Sequence, residues 1–133
     1  MLSTTQIEDI GEFFAQQEHI RFVILFGSQV KERTIPLSDV DLALDTESPL
    51  SLLSRGRLIA ELEMIIKTDV DLLDLNRIVS DNPRLAHEIF STGKVIHMKD
   101  REAYLQRKEE MLRRYLDTQP LRAMVDNRFR ETG

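Results

Sequence analysis

The chain has 133 residues, of which 41% are hydrophobic and 31% charged, and it contains no cysteine. This length predicts one domain with a single core, and the lack of cysteine excludes disulfides and thiolate metal sites. The net charge of −5 argues against a broad nucleic-acid-binding surface. No apolar run is long enough to cross a membrane and no secretory leader is visible, so we expect a cytoplasmic protein without membrane contact.

The first predicted elements are a helix and an apolar strand. Ser3 or Thr4 is placed to cap the helix. One apolar face of this helix is formed by Ile7, Ile10, Phe13 and Phe14. The unbroken apolar run at residues 22–26 indicates a strand that is covered on both faces.

The turn after this strand suits a phosphate group. Gly27 has no side chain, so backbone can come close to a phosphate, and Ser28 adds a hydroxyl and an amide N–H. A Gly-Ser pair alone more often forms an ordinary turn. We expect residues 29–34 to form a short helical turn and Pro36 to keep the chain extended as far as Ser38.

Two carboxylates open the next predicted strand. Residues 38–44 alternate polar and apolar, and side chains two apart on a strand share a face. Asp39 and Asp41 therefore point the same way, while Val40 and Leu42 enter the core. Adjacent carboxylates repel unless a cation lies between them, and their oxygens suit Mg²⁺. The alternative is a solvated strand face at a sheet edge.

A third carboxylate lies on the strand predicted at residues 68–75. If this strand pairs beside the Asp39–Asp41 strand, Asp71 completes a three-carboxylate cluster. Such a cluster can hold two divalent ions for nucleotidyl transfer, and Asp71 can accept the proton of an attacking hydroxyl. Asp69 and Asp74 compete for this place, and we interpret them as solvated strand-end charges.

A helix is predicted between these strands, from Ser48-Pro49 to about Lys67. Its buried stripe is expected to be Leu52, Leu53, Leu58, Ile59, Leu62, Ile65 and Ile66. Glu61 and Glu63 are interpreted as solvated, although either is able to approach a metal site. After the third carboxylate, Asn76 is expected to form a turn or cap.

The remaining pattern predicts a helix, a short strand and a long amphipathic helix. The first helix starts at Asn82-Pro83 and ends at Gly93, with His87 structural or exposed, and residues 94–98 form the strand. The fold class is therefore α/β (or α+β), with a small mixed sheet flanked by helices. The final helix spans residues 100–117 and is expected to break at Pro120.

These elements divide the chain into a core, residues 1–98, and a helical extension, residues 99–133. The apolar stripe of the extension is Tyr104, Leu105, Met111, Leu112, Tyr115 and Leu116. This stripe either packs back on the body, so that both parts form one domain, or docks a partner.

GS-x10-DxD between strands, followed by a later carboxylate strand, resembles the DNA polymerase β nucleotidyltransferase superfamily. The small size resembles its minimal nucleotidyltransferase (MNT) branch, the antitoxins paired with HEPN ribonuclease toxins. The resemblance covers roughly residues 20–98. It implies that ATP is held by Gly27, Ser28, Lys31 and Ser38, and that two Mg²⁺ ions are bound by the catalytic residues Asp39, Asp41 and Asp71.

The loop departs from the usual family pattern. Many members have a basic residue directly after Gly-Ser and a glycine three positions further on, where this chain has Gln29 and Glu32. Lys31 keeps one basic position, so phosphate contacts from the loop stay in the prediction.

The resemblance implies transfer of AMP from ATP to a tyrosine hydroxyl of a cognate HEPN toxin, which neutralises the toxin and allows a hetero-oligomer with it. Two alternatives stay open. In the first, the acceptor is a small hydroxylated compound such as an aminoglycoside. In the second, the chain is a non-catalytic antitoxin that docks through the 100–117 helix. A polymerase is not expected, since the sequence shows no basic groove.

Overall fold

The computed structural model describes residues 2–27 and 39–132, with side chains described as far as Thr118. Its elements are α1 (Thr4–Ala15), β1 (Ile20–Phe26), β2 (Val40–Thr46), α2 (Leu52–Ile66), β3 (Val70–Asp74), α3 (Leu75–Asp81), α4 (Pro83–Thr92), β4 (Lys94–Met98) and α5 (Arg101–Thr132). The strands form one sheet in the order β3–β2–β1–β4. β1 is antiparallel to β2 and β4, whereas β2 and β3 are parallel. The predicted mixed α/β architecture is confirmed.

The sheet is covered on both faces, as the apolar run of β1 predicts. Val23 and Leu25 face a cluster built with α1 and α2. Phe22 and Ile24 face the opposite cluster, which is built with α3, α4 and α5. Consecutive β1 residues therefore enter two different cores, because side chains alternate across a strand.

The predicted start of α1 is also confirmed. The Ser3 hydroxyl accepts from the amide of Gln6 at 3.1 Å, and the Gln6 side-chain oxygen accepts from the amide of Ser3 at 2.9 Å. This reciprocal capping box satisfies donors that the first helical turn leaves free. It fixes the entry of α1, which buries Ile10 and Phe14 completely.

The predicted start of α2 is wrong. The helix begins at Leu52, and the Ser51 hydroxyl caps it by accepting from the amide of Ser54 at 3.1 Å. The preceding amide, that of Leu50, instead donates to Asp74 at 3.0 Å. Because this contact fixes the segment before the helix, Ser48 and Pro49 cannot form its first turn.

Part of the predicted α2 stripe is wrong as well. Leu58, Leu62 and Ile66 are buried, whereas Leu52, Leu53 and Ile65 are 82%, 77% and 45% exposed. Apolar spacing alone allows several rotations of this helix, and packing on the sheet selects one of them.

A short helix, α3, replaces the turn expected at Asn76. Asp74 caps it by accepting from the Asn76 amide at 3.0 Å, and its other carboxylate oxygen accepts from Leu50. Asp74 is buried, so the interpretation of this residue as a solvated charge is wrong. An aspartate at a helix N-terminus is stabilised by the free amides there.

α5 continues through Pro120 to Thr132, so the predicted break at that residue is wrong. A proline removes one backbone donor, a loss that a helix of 32 residues can absorb. The first half of α5 packs on the body, where Ala103 and Met111 are buried and Tyr115 stacks on His87 with ring centroids 4.0 Å apart. No helix in residues 2–27 and 39–132 has the length and apolarity that a bilayer span needs.

A buried polar network fastens α5 to the sheet. Asp45 of β2 is fully buried and accepts from the Nε atoms of Arg21 and Arg107, each at 2.7 Å. Arg107 also donates to the side-chain oxygen of Asn76 at 2.8 Å. The Asp45 carboxylate thereby joins β1, β2 and α5, and Arg107 extends the network to α3.

Acidic pH is expected to destabilise the fold through His97 on β4. Its Nε2 atom is buried and has no hydrogen-bond partner among the described residues. Burial, with a smaller contribution from the positive charge of Lys99, lowers the pKa of His97. The unfolded chain therefore binds the proton more tightly, and stability is lost as pH falls below about 6.5 towards the lowered pKa.

Urea unfolding at a series of pH values measures this loss. His97→Phe removes the titrating group, so its stability should vary less between pH 7 and pH 5 than that of the parent. His19→Gln, at an exposed histidine, is the matched control and should follow the parent. Equal slopes for the parent and the His97 variant would contradict the expectation.

Candidate functional site

The parallel pairing of β2 and β3 brings two of the predicted carboxylates together. In the register of this pair, Asp41 lies opposite Asp71. The Val40 amide donates to the carbonyl of Asp69 at 2.8 Å, which aligns the starts of the two strands. Residues opposite each other in register share a face, so the side chains of Asp41 and Asp71 project from the same face of the sheet. Asp39 lies exposed, two residues before Asp41.

The three carboxylates interact electrostatically at Asp41. Its pKa is raised first by burial, and then by the negative charges of Asp71 and Asp39. The Asp41 carboxylate is thus repelled by two further carboxylates, which come from two different segments of the chain. A cation placed here would relieve this repulsion.

The glycine turn lies against the same carboxylate. Phe26, the last residue of β1, pairs with Asp41, and Gly27 follows at a φ of +81°. A Cβ atom added to Gly27 would collide with Oδ2 of Asp41. Glycine is needed here both for the left-handed backbone and for the close approach to the carboxylate.

Gly27→Ala is expected to lower the free energy of unfolding by about 1–2 kcal/mol, the usual cost of a left-handed backbone for a residue with a Cβ. Because the new methyl group also displaces the Asp41 carboxylate, any catalytic activity that depends on this carboxylate should fall as well. Urea unfolding and a transfer assay measure the two effects.

Gly56→Ala on α2 is the matched control, because a Cβ atom there meets nothing within 4 Å. That variant should be neutral or more stable by up to about 1 kcal/mol. Equal behaviour of the two alanine variants would contradict the role assigned to Gly27.

The residues predicted to bind phosphate, Ser28, Lys31 and Ser38, lie outside the described residues, as does the helical turn expected at residues 29–34. Their assignment to ATP stays a prediction. Among the described side chains, in residues 2–27 and 39–118, no three His, Asp or Glu groups lie closely enough together to form a metal site. The donor chemistry nevertheless fits Mg²⁺, since the ion prefers carboxylate oxygens and Asp41 carries the repulsion that a cation would relieve.

Arg55 is a site residue that the sequence did not reveal. From α2, its Nε atom donates to the carbonyl of Leu72 at 2.7 Å, and its Nη2 atom lies 3.7 Å from Oδ1 of Asp71. The guanidinium is therefore anchored on β3 beside the third carboxylate. An arginine amid apolar helix residues gives no sequence signal for such a contact.

The two α2 glutamates lie differently. Glu63 accepts from the amide of Val70 at 2.9 Å, so it holds the start of β3. Glu61 is exposed, as its interpretation as a solvated charge predicts. The partial burial and backbone contact of Glu63 give it a structural role that the sequence reading missed.

Comparison with known proteins identifies the fold. The family profile described as polymerase beta, nucleotidyltransferase, matches residues 8–102. One chain of a toxin–antitoxin structure with AMP-PNP has a TM-score of 0.72 at 21% identity, covering 96% of this chain and 99% of that chain. No curated protein matches significantly.

Two further solved structures have the same fold over the same extent. One chain of the tri-AMPylated Shewanella oneidensis HEPN toxin in complex with MNT antitoxin has a TM-score of 0.69 at 19% identity. One chain of the MntA–HepT toxin–antitoxin structure has a TM-score of 0.69 at 20% identity. In both cases the match covers 96% of this chain and 99% of that chain.

Proposed function

Because the chain belongs to the polymerase β nucleotidyltransferase family, we propose that it is an antitoxin that transfers AMP from ATP to a tyrosine hydroxyl of a HEPN ribonuclease toxin. The transfer neutralises the toxin. The observation that carries this proposal is the register of Asp41 with Asp71, next to the close approach of Gly27. A nucleotidyl transfer needs carboxylate oxygens that can bind metal beside a turn that can accept a phosphate.

A protein acceptor is supported by the solved structures of similar fold. One contains AMP-PNP, and another contains a HEPN toxin that carries AMP groups. These chains are matched over nearly their whole length, so they add no separate acceptor domain that this chain lacks. A reaction that uses ATP and acts on a ribonuclease toxin is expected in the cytoplasm.

The reaction is an in-line displacement at the α-phosphorus of ATP. The toxin hydroxyl oxygen forms a bond to this phosphorus, the bond to the oxygen bridging towards the β-phosphate breaks, and pyrophosphate leaves. The proton of the attacking hydroxyl passes to Asp71, which lies exposed on its strand and within reach of solvent. Holding the hydroxyl in line with the leaving group supplies much of the acceleration.

Asp39, Asp41 and Asp71 are the residues that would hold Mg²⁺, as two ions in the full proposal. When bound, the metal neutralises charge on the phosphates and on the leaving group. The carboxylates must be ionised to bind it. The raised pKa of Asp41 therefore predicts that metal binding and transfer weaken at acidic pH.

The decisive experiment incubates the purified chain with labelled ATP, Mg²⁺ and the HEPN protein of a neighbouring reading frame. Intact mass should show AMP on the toxin, peptide mapping should place it on tyrosine, and the ribonuclease activity should fall in parallel. Label on an added aminoglycoside and not on protein would favour the small-molecule acceptor. Full neutralisation without nucleotide would favour docking alone.

A further inference from the structure

α2 presents an apolar face to solvent on the side opposite the core. We call Leu52, Leu53, Gly56, Ala60 and Met64 the α2 ridge. Leu52, Leu53 and Met64 are 82%, 77% and 81% exposed, and the two small residues between them are also exposed. Large apolar side chains that gather on one helix face mark an interaction surface more often than scattered ones do.

The α2 ridge has small side chains at its centre and large side chains at its ends. Four of its members follow one another at intervals of four residues, and rows of this spacing on two helices interdigitate when the helices cross at about −50°. At the centre, a Cβ atom added to Gly56 meets nothing within 4 Å. A second helix can therefore come close at Gly56 and Ala60, while Leu52 and Met64 pack at either end.

The charges beside the α2 ridge favour a second copy of the same helix. Arg57 and Glu61 are exposed on one flank, and neither forms an ion pair or hydrogen bond with another described residue. When a two-fold axis relates two antiparallel helices, each flank of one helix faces the same flank of the other helix, which runs in the opposite direction. Arg57 of one copy then lies opposite Glu61 of the other, and Leu52 lies opposite Met64.

We propose that the α2 ridge is a self-association surface, on which a second copy of this chain binds as an antiparallel, two-fold helix pair. α2 ends near the start of β3, where Glu63 holds the Val70 amide, so its C-terminus points towards the carboxylate end of the sheet. Antiparallel pairing places the two carboxylate sites at opposite ends of the dimer. Each site stays open to its own acceptor.

A single helix pair buries less than the roughly 1,200 Å² of a standard stable interface. The dimer is therefore weak and concentration-dependent. Sedimentation equilibrium of the full chain over a wide concentration range should show a reversible monomer–dimer equilibrium. A chain that stays monomeric throughout would overturn the proposal.

Gly56→Arg should abolish the dimer, because it places two like charges at the crossing point. The fold should survive, since the site is open and arginine is a better helix former than glycine. Leu105→Arg is the matched control, on an exposed apolar position of α5, and should leave the dimer intact. A dimer lost only in the Leu105 variant would assign self-association to α5 and overturn the proposal.

A charge exchange tests the direction of pairing. Arg57→Glu and Glu61→Arg should each weaken the dimer, because each creates like charges across the two-fold axis. The double variant restores opposite charges and should recover the dimer. Two weakened single variants without recovery in the double variant would rule out the antiparallel register. These measurements need neither nucleotide nor toxin, so they stand or fall independently of the proposed transfer.

Discussion

Asp41→Asn is expected to lower AMP transfer strongly and, at neutral pH, to raise the midpoint of thermal unfolding. The loss of activity follows from removing the central oxygen ligand of the site. Metal stabilisation of phosphate charge contributes several kcal/mol to such transfers, so transfer should fall on the order of 10³-fold. Labelled ATP, the HEPN toxin and a thermal shift assay measure both effects.

The gain in stability follows from the raised pKa of Asp41, caused by burial and by Asp71 and Asp39. The folded protein binds this proton more tightly than the unfolded chain does. The associated stability is present at low pH and is lost as pH rises through the raised pKa, so the ionised carboxylate destabilises the fold at pH 7. Asparagine keeps the shape and removes the charge.

Asp69→Asn is the matched control, because Asp69 is exposed one residue before β3 and does not act on Asp41. It should keep both activity and parent stability. Mg²⁺ should raise the midpoint of the parent and not that of the Asp41 variant. Full transfer by Asp41→Asn would refute the site, and an inactive variant with a lowered midpoint would show damage to the fold instead of relief of repulsion.

The relative placement of Asp41 and Asp71 was predictable because backbone geometry alone determines it. The two-residue spacing of Asp39 and Asp41 gives them a common direction where both lie on a strand, although β2 begins only at Val40. A helix between two strands favours a parallel pair, and parallel register then brings Asp71 opposite Asp41. Gly27 was singled out because its lack of a side chain lets a phosphate come close, and that role stays a prediction. In the structure, the position is instead crowded by the Asp41 carboxylate.

What the sequence could not supply depends on the rotation of helices on the sheet. Arg55 reaches Asp71 only because α2 buries Leu58 and Leu62 and leaves Leu52 outside. α2 carries apolar residues on two of its sides, so the sequence pattern does not show which side is buried. Asp74 was misread for a related reason: its partner Leu50 is 24 residues away in the sequence.

Asp45→Ala is expected to cause the largest loss of stability, about 3–5 kcal/mol, the usual cost of breaking a buried ion pair. The substitution leaves the guanidinium groups of Arg21 and Arg107 without the carboxylate that both contact at 2.7 Å. It also removes the ion pair that links β2 to α5. Urea unfolding should show the loss, and hydrogen exchange should show earlier opening of α5 than of the sheet.

Glu110→Ala is the matched control, because Glu110 contacts the same Arg107 at 3.0 Å from a more exposed position. Partly exposed pairs contribute at most about 1 kcal/mol, so this variant should lose far less. Asp45→Asn should fall between the two, since it keeps an acceptor and loses the charge. If Asp45→Ala and Glu110→Ala cost the same, burial does not strengthen this network, and α5 is held to the sheet by apolar packing such as that of Met111 and of Tyr104 on Phe22.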